Sequence, residues 1–159
     1  MSTLYDRALN YLALRARSTA ELRRRLLDKG ADSADVEQVL DRLTQQGLLN
    51  DTDFARQFAR TKLLTAGASR FRIARELTRK GVSREVADRA VQTLVEEEGV
   101  DPSAAIRRVA EKKWRTLAGL DDATARRRLY AFLARRGFNP DEIRSVMHSI
   151  TDTADAAEH

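Results

Sequence analysis

The chain has 159 residues, enough for one sizeable domain or a few small stacked units, with 42% hydrophobic, 33% charged and 6% aromatic residues. A net charge of +5 and a pI near 10.0 point toward acidic partners, either nucleic acid or an acidic protein surface. Having no cysteine, it has no disulfide framework, thiolate nucleophile or thiolate metal site; with no apolar run near the ~20 residues that span a bilayer, and no signal-peptide pattern in its first residues, a cytoplasmic protein is expected.

The first helical pattern puts Tyr5, Ala8, Leu9 and Leu12 on one stripe. Ser18 then reads as an N-cap with Glu21 reaching back to it, a capping box. The helix it opens runs to Gly30. A third helix starts near Asp32 or Ser33, buries Val36, Val39, Leu40 and Leu43, and stops before Gly47. The cycle then restarts at Asn50 or Asp51 with the stripe Phe54, Ala55, Phe58 and Ala59, ending near Gly67. A helix from Ser69 ends at Gly81, and Ser83 caps another that buries Val86, Ala90, Val91 and Leu94 and ends near Gly99. The third round opens on Asp101-Pro102, an N-cap with proline at the first helical position, and its stripe is Ile106, Val109, Ala110 and Trp114. A helix from Thr124 ends at Gly137. Asn139, Pro140 and Glu142 open the last one, which buries Ile143, Val146, Met147 and Ile150.

These elements form an internal repeat. The pairs Leu22/Leu26, Ile73/Leu77 and Leu129/Leu133 stand eight and four residues before Gly30, Gly81 and Gly137, and a basic residue precedes each of those glycines. Val36/Ile143, Val39/Val146, Leu40/Met147 and Leu43/Ile150 share a register in the third helices, and Ala90, Val91 and Leu94 agree in the middle copy. All seven glycines fall where a helix should stop and both prolines where one should start. Nothing alternates with a period of two over a useful length. The expected fold is all-α: an elongated array of three tandem three-helix repeats over residues 1–50, 51–100 and 101–151, with a disordered acidic tail at 152–159.

Positive charge gathers on the first and second helices. Residues 54–80 hold eight basic groups against the single acid Glu76, and residues 107–136 hold ten against Glu111, Asp121 and Asp122. The third helices are mixed or acidic. On charge alone, the partner contacts are placed at Arg70, Arg72, Arg75, Arg79 and Lys80 of the middle repeat and Arg126, Arg127, Arg135 and Arg136 of the last. For any one of these residues a solvated helical face explains the charge equally well.

No catalytic constellation is found. The two histidines are His148 and His159, and His148 reads as a helix residue at or near the surface. Glycine-rich phosphate loops, paired-histidine zinc helices and nucleophile elbows are absent from the sequence. Trp114 shares a stripe with Ile106 and Val109 and reads as core. No enzyme activity, cofactor or metal is expected. Helix, glycine turn and helix from Leu22 to Leu40 outline a helix-turn-helix, but the helix that would enter a groove is acidic, so a DNA-binding module acting through phosphate contacts stands as the alternative reading.

The pieces Ala8-Leu-x-x-Leu12-x-x-Arg15-x-x-Ser18-x-x-Glu21-Leu22, Gly47-Leu-Leu-Asn-Asp51-x-x-Phe54-Ala55, Arg72-Ile73-x-x-Glu76-Leu77-x-x-Lys80-Gly81-Val82 and Leu133-x-x-Arg136-Gly137-Phe138 resemble the RecX family, regulators of the RecA recombinase. The resemblance covers about residues 5–150 and departs at Leu48, where the family often has tyrosine. It implies three tandem three-helix repeats. It also implies a non-enzymatic modulator that binds the RecA–DNA filament along its groove and inhibits ATP hydrolysis, strand exchange and coprotease activity, within DNA repair, recombination and the SOS response. The partner it implies is the RecA filament; from charge, weak single- or double-stranded DNA contact is also expected, and so is a monomer without membrane association.

Overall fold

The computed structural model describes residues 2–64 and 67–157. Among these residues there are nine helices and no strand: α1 (Leu4–Leu14), α2 (Thr19–Asp28), α3 (Ser33–Gln45), α4 (Asp51–Leu64), α5 (Arg70–Arg79), α6 (Arg84–Glu96), α7 (Pro102–Thr116), α8 (Asp122–Arg135) and α9 (Pro140–Ala157). They group as three triplets, each with its own apolar core. Leu22, Leu26, Val36, Leu40 and Leu43 lie at the centre of the first core, Ile73, Leu77, Ala87, Val91 and Leu94 of the second, and Leu129, Leu133, Ile143 and Ile150 of the third. Trp114 packs against the third core, as its stripe predicts.

The caps follow from the sequence because they are local. Ser18 accepts from the Glu21 amide at 3.1 Å while Glu21 Oε1 accepts from the Ser18 amide. Asp32, Ser83, Asp101 and Asn139 cap α3, α6, α7 and α9. Asn50 caps α4, and Asp51 instead accepts from both the amide and the hydroxyl of Thr19, tying the start of α4 to the start of α2. Two boundaries differ from expectation. α8 begins at Asp122 with Asp121 as its N-cap, not at Thr124, because Asp121 captures the Thr124 amide; α8 thus has 14 residues where α2 and α5 have 10, about one extra turn. The expected tail also shortens, since α9 stays helical through Ala157. No glycine or proline follows Pro140 to stop it, and His148 and Asp152 pair at 3.1 Å along its surface. Residues 158–159 lie outside the described residues.

The repeats join through the ends of their second helices. Ser18, fully buried at the N-terminus of α2, donates its hydroxyl to the Lys80 carbonyl at the C-terminus of α5. Ser69, 2% exposed, caps α5 by accepting from the Arg72 amide and donates to the Arg136 carbonyl at the C-terminus of α8, 3.3 Å away. In each seam the partly positive end of one helix meets the partly negative end of the next. The approach is close enough to require glycine. A Cβ on Gly81 would stand 2.2 Å from Ala20 Cβ, and one on Gly137 would stand 2.7 Å from Ser69 Oγ. Stacking by ends and edges leaves much surface open: 10112 Å² is accessible, against about 8,000 Å² for a compact monomer of this mass. The array is elongated.

Glycines at the ends of α2 and α5 separate backbone strain from crowding. Both have positive φ, 89° at Gly30 and 84° at Gly81, but nothing lies within 4 Å of a Cβ at Gly30. Gly30→Ala should cost about 1–2 kcal/mol from the left-handed backbone. Gly81→Ala should cost roughly 1–3 kcal/mol more, because α2 must be pushed off α5. Urea unfolding of the two variants measures the difference.

Candidate partner-binding surface

Helix α5 presents two faces to two environments. Ile73 and Leu77 are fully buried. On the other side, Arg70, Arg75 and Arg79 line an open groove shared with α6. None of these three guanidiniums has a hydrogen bond or ion pair among the described residues. Arg72 is different: its Nε pairs with Glu76 at 3.2 Å, and its Cβ packs beside Gly137 in the second seam. The nine arginines and lysines chosen by charge therefore do not form one ridge.

Lys80 and Arg136 occupy equivalent places, each preceding the glycine that ends a second helix, and each lies beside a half-buried phenylalanine. Lys80 Nζ and Lys62 Nζ both stand 5.5 Å from the centre of the Phe58 ring. Arg136 and Lys113 stand 4.9 and 5.0 Å from the centre of Phe132. Lys62 on α4 and Lys113 on α7 are themselves in register, as their buried neighbours Ala59 and Ala110 show. Each seam thus displays a cation from a first helix and a cation from the end of a second helix, seated on an aromatic ring. Arg15 lies in the first seam hollow with Phe54 and Phe58. Arg108 and Lys112 lie in the second, where Arg108 also donates to the Leu64 carbonyl at the end of α4.

On α8, Arg126 is held by Asp122 at 2.8 Å and Arg127 bonds the Thr124 hydroxyl at 3.3 Å. Arg135 is exposed in its last turn. Lys62, Arg108, Lys112 and Lys113 escaped the charge-based selection. The signal for Lys62 and Lys113 was present in the common register of α4 and α7; the seams themselves carry none, because Ser18 and Lys80 are far apart in sequence. His148 is exposed on α9 and Leu48 is 52% exposed after Gly47.

Acid and base meet at the first seam. Burial pushes the Glu21 carboxyl up, but the Arg15 hydrogen bond, the Ser18 amide and the charges of Lys80 and Arg15 together bring it below its ordinary value of 4.5. No helix among the described residues is long and apolar enough to cross a membrane, and the described residues hold no cluster of acidic, histidine or cysteine side chains able to bind a metal.

Three family models match in chain order: the first three-helix domain of RecX at residues 5–43, the second at 50–91 and the third at 101–147. The chain is 41% identical over 127 residues to the regulatory protein RecX of Amycolatopsis mediterranei, covering 80% of this chain and 71% of that protein. It is 36% identical over 140 residues to the regulatory protein RecX of Pelodictyon phaeoclathratiforme, covering 88% and 84%. The crystal structure of RecX from Lactobacillus salivarius superimposes with a TM-score of 0.82 over 93% of this chain and 94% of that one, at 21% identity.

Two outcomes follow from these contacts. Arg70→Ala, Arg75→Ala and Arg79→Ala should each change stability by less than about 0.5 kcal/mol in urea unfolding, because no folded-state partner is lost. Glu21 contributes stability that is complete above its ordinary value of 4.5 and disappears as pH falls through its lowered folded value. Glu21→Gln should therefore flatten the acid limb of a curve of Tm against pH.

Proposed function

The chain belongs to the RecX family of regulatory proteins, and from that premise we propose that it binds the RecA–DNA filament and inhibits its ATPase, strand-exchange and coprotease activities. The observation that carries this reading is the repetition of the seam cations. Lys62 with Lys80 and Lys113 with Arg136 repeat one arrangement along an elongated scaffold. A partner that is itself long, periodic and acidic can engage both sets at once. Two weak contacts then become one strong one, because the second forms at high effective concentration. Binding that favours one filament state over another shifts assembly and turnover without any chemistry of its own.

Catalytic groups have no part in this reading. Regulation here is a matter of charge, spacing and rigidity, and Arg70, Arg72, Arg75, Arg79, Arg126, Arg127 and Arg135 supply further cations around the seam pairs. Arg72 and Arg126 contribute least, since Glu76 and Asp122 already neutralise them. DNA phosphates along the filament provide a second set of acidic groups for the same cations.

The test is RecA's DNA-dependent ATPase with this protein at substoichiometric levels. Inhibition should persist when DNA is in large excess; if added DNA titrates it away, the protein is a DNA-binding module and the filament reading fails. Lys80→Ala combined with Arg136→Ala keeps the main-chain carbonyls that Ser18 and Ser69 use, so the seams remain. That double variant should inhibit roughly tenfold less well, the equivalent of about 1.4 kcal/mol of lost binding.

A further inference from the structure

An open groove of about 710 Å³ runs between the outer faces of α5 and α6. Ala74, Val91 and Val95 line it on the apolar side, and Phe71 stands at its edge with 65% of its surface exposed. Arg70, Arg75 and Arg79 follow the α5 lip, and Asp88, Gln92 and Glu96 the α6 lip. Of these acids, Asp88 is met only loosely, by Arg84 at 3.9 Å.

The other two repeats carry larger side chains at this place. Aligned on Gly30, Gly81 and Gly137, the position of Ala74 carries Arg23 in the first repeat and Tyr130 in the third. Arg23 crosses from α2 to α3 and bonds Glu37, the counterpart of Asp88, at 2.6 Å. In the third repeat the residue in that same place on α9 is Arg144, which pairs with Asp141 at 2.7 Å, and Tyr130 stands 36% exposed across from it on α8. The middle repeat has alanine where the others have a long or bulky side chain, and phenylalanine at Phe71 where the others have Ala20 and Arg127. Removing a filler while adding an exposed aromatic makes a recess with an anchor. It does not improve a core.

We propose that the α5/α6 groove is a docking site for an acidic amphipathic helix of a partner protein. The charge pattern selects this occupant. Three unengaged arginines on one lip call for carboxylates along one flank of the ligand. The apolar lining and Phe71 call for aliphatic side chains one helical turn apart. Nucleic acid suits the groove poorly, because Asp88 and Glu96 would face its phosphates and Val91 and Val95 would meet no apolar group. The ten residues of α5 span about 15 Å, so the helix held here is about three turns long. The inference gives the filament reading a contact of stated chemistry, and the two can fail separately: the peptide assay below contains no RecA, and the ATPase assay contains no peptide.

The experiment uses the full chain and a fluorescein-labelled peptide of about three turns, with leucines at i, i+4 and i+7 and glutamates along one flank, read by fluorescence anisotropy. A scrambled peptide of the same composition is the control. The ordered peptide should bind at least tenfold more tightly than the scramble. Ala74→Tyr, which borrows the filler of the third repeat, and Phe71→Ala should each weaken it by about tenfold with circular dichroism unchanged. Equal binding of the scramble, or undiminished binding by either variant, overturns the proposal. So does displacement of the peptide by a single-stranded oligonucleotide at equal charge, which would make the groove a phosphate site. Self-association of the protein that Ala74→Tyr abolishes would also overturn it, since the occupant would be a second copy.

Discussion

At each seam one buried hydroxyl bridges two helix ends. Ser18 and Ser69 each use their oxygen twice, accepting an amide of their own helix and donating to the last carbonyl of the second helix in the next repeat. A helix end leaves orphan amides at its start and orphan carbonyls at its finish. Here one side chain satisfies both kinds at once, in a place where water is excluded. The three cores are largely separate, so burial alone sets the shape within a triplet and says little about the angle between triplets. That angle depends on the seams, where Gly81 and Gly137 let the backbone come within reach. The spacing between one seam cation pair and the next depends on it in turn.

Most of the surface charge matters less to the fold. Arg84 with Asp88, Arg89 with Glu85 and Arg126 with Asp122 are exposed pairs one turn apart on single helices. Such pairs contribute little because water screens them and both side chains lose freedom. The Lys80 and Arg136 side chains differ in lying against aromatic rings, which favours a subset of their rotamers. Cations restricted in this way lose less entropy when a partner arrives. The fold places such ring-backed cations where its repeats touch.

The repeat was legible in the sequence because its signals are short-range. Leucines four apart, a terminal glycine and a capping serine or asparagine all act within one helix, so Leu22, Ser18 and Asn139 could be assigned from spacing alone. Asp121, Asp122 and Thr124 are all good N-caps, and spacing could not choose among them; α8 starts with the earliest. The end of α9 lies beyond the last large apolar residues for a related reason. Apolar residues run out after Ile150, but a helix needs an apolar face only where it packs, and nothing in the later sequence breaks it. Net charge points to the helices that carry the cations but not to how each cation is engaged. The i,i+4 partners of Arg72 and Arg126 were visible, yet the meeting of Ser18 with Lys80 and of Ser69 with Arg136 depends on tertiary geometry that no local pattern encodes.

The repeats also differ, and their differences carry information that their likeness does not. A scaffold of near-identical triplets offers three copies of every surface position. Where packing alone is at stake the copies agree, as at Leu26, Leu77 and Leu133, all at the centre of their cores. At the position of Arg23, Ala74 and Tyr130 they disagree in size, charge and polarity. A solvated site with no constraint would tolerate such drift, but drift does not explain why the first copy closes its groove with a 2.6 Å ion pair while the middle one leaves an aromatic ring exposed beside three unengaged arginines. Exposing Phe71 costs the free protein hydrophobic stabilisation, by burial arithmetic about 25 cal/mol for each Å² left in water. A bound partner covers that surface and recovers the loss, so binding and folding draw on the same residue. The middle repeat is the one where the array gives up closure, and it lies between the two seams that fix its orientation.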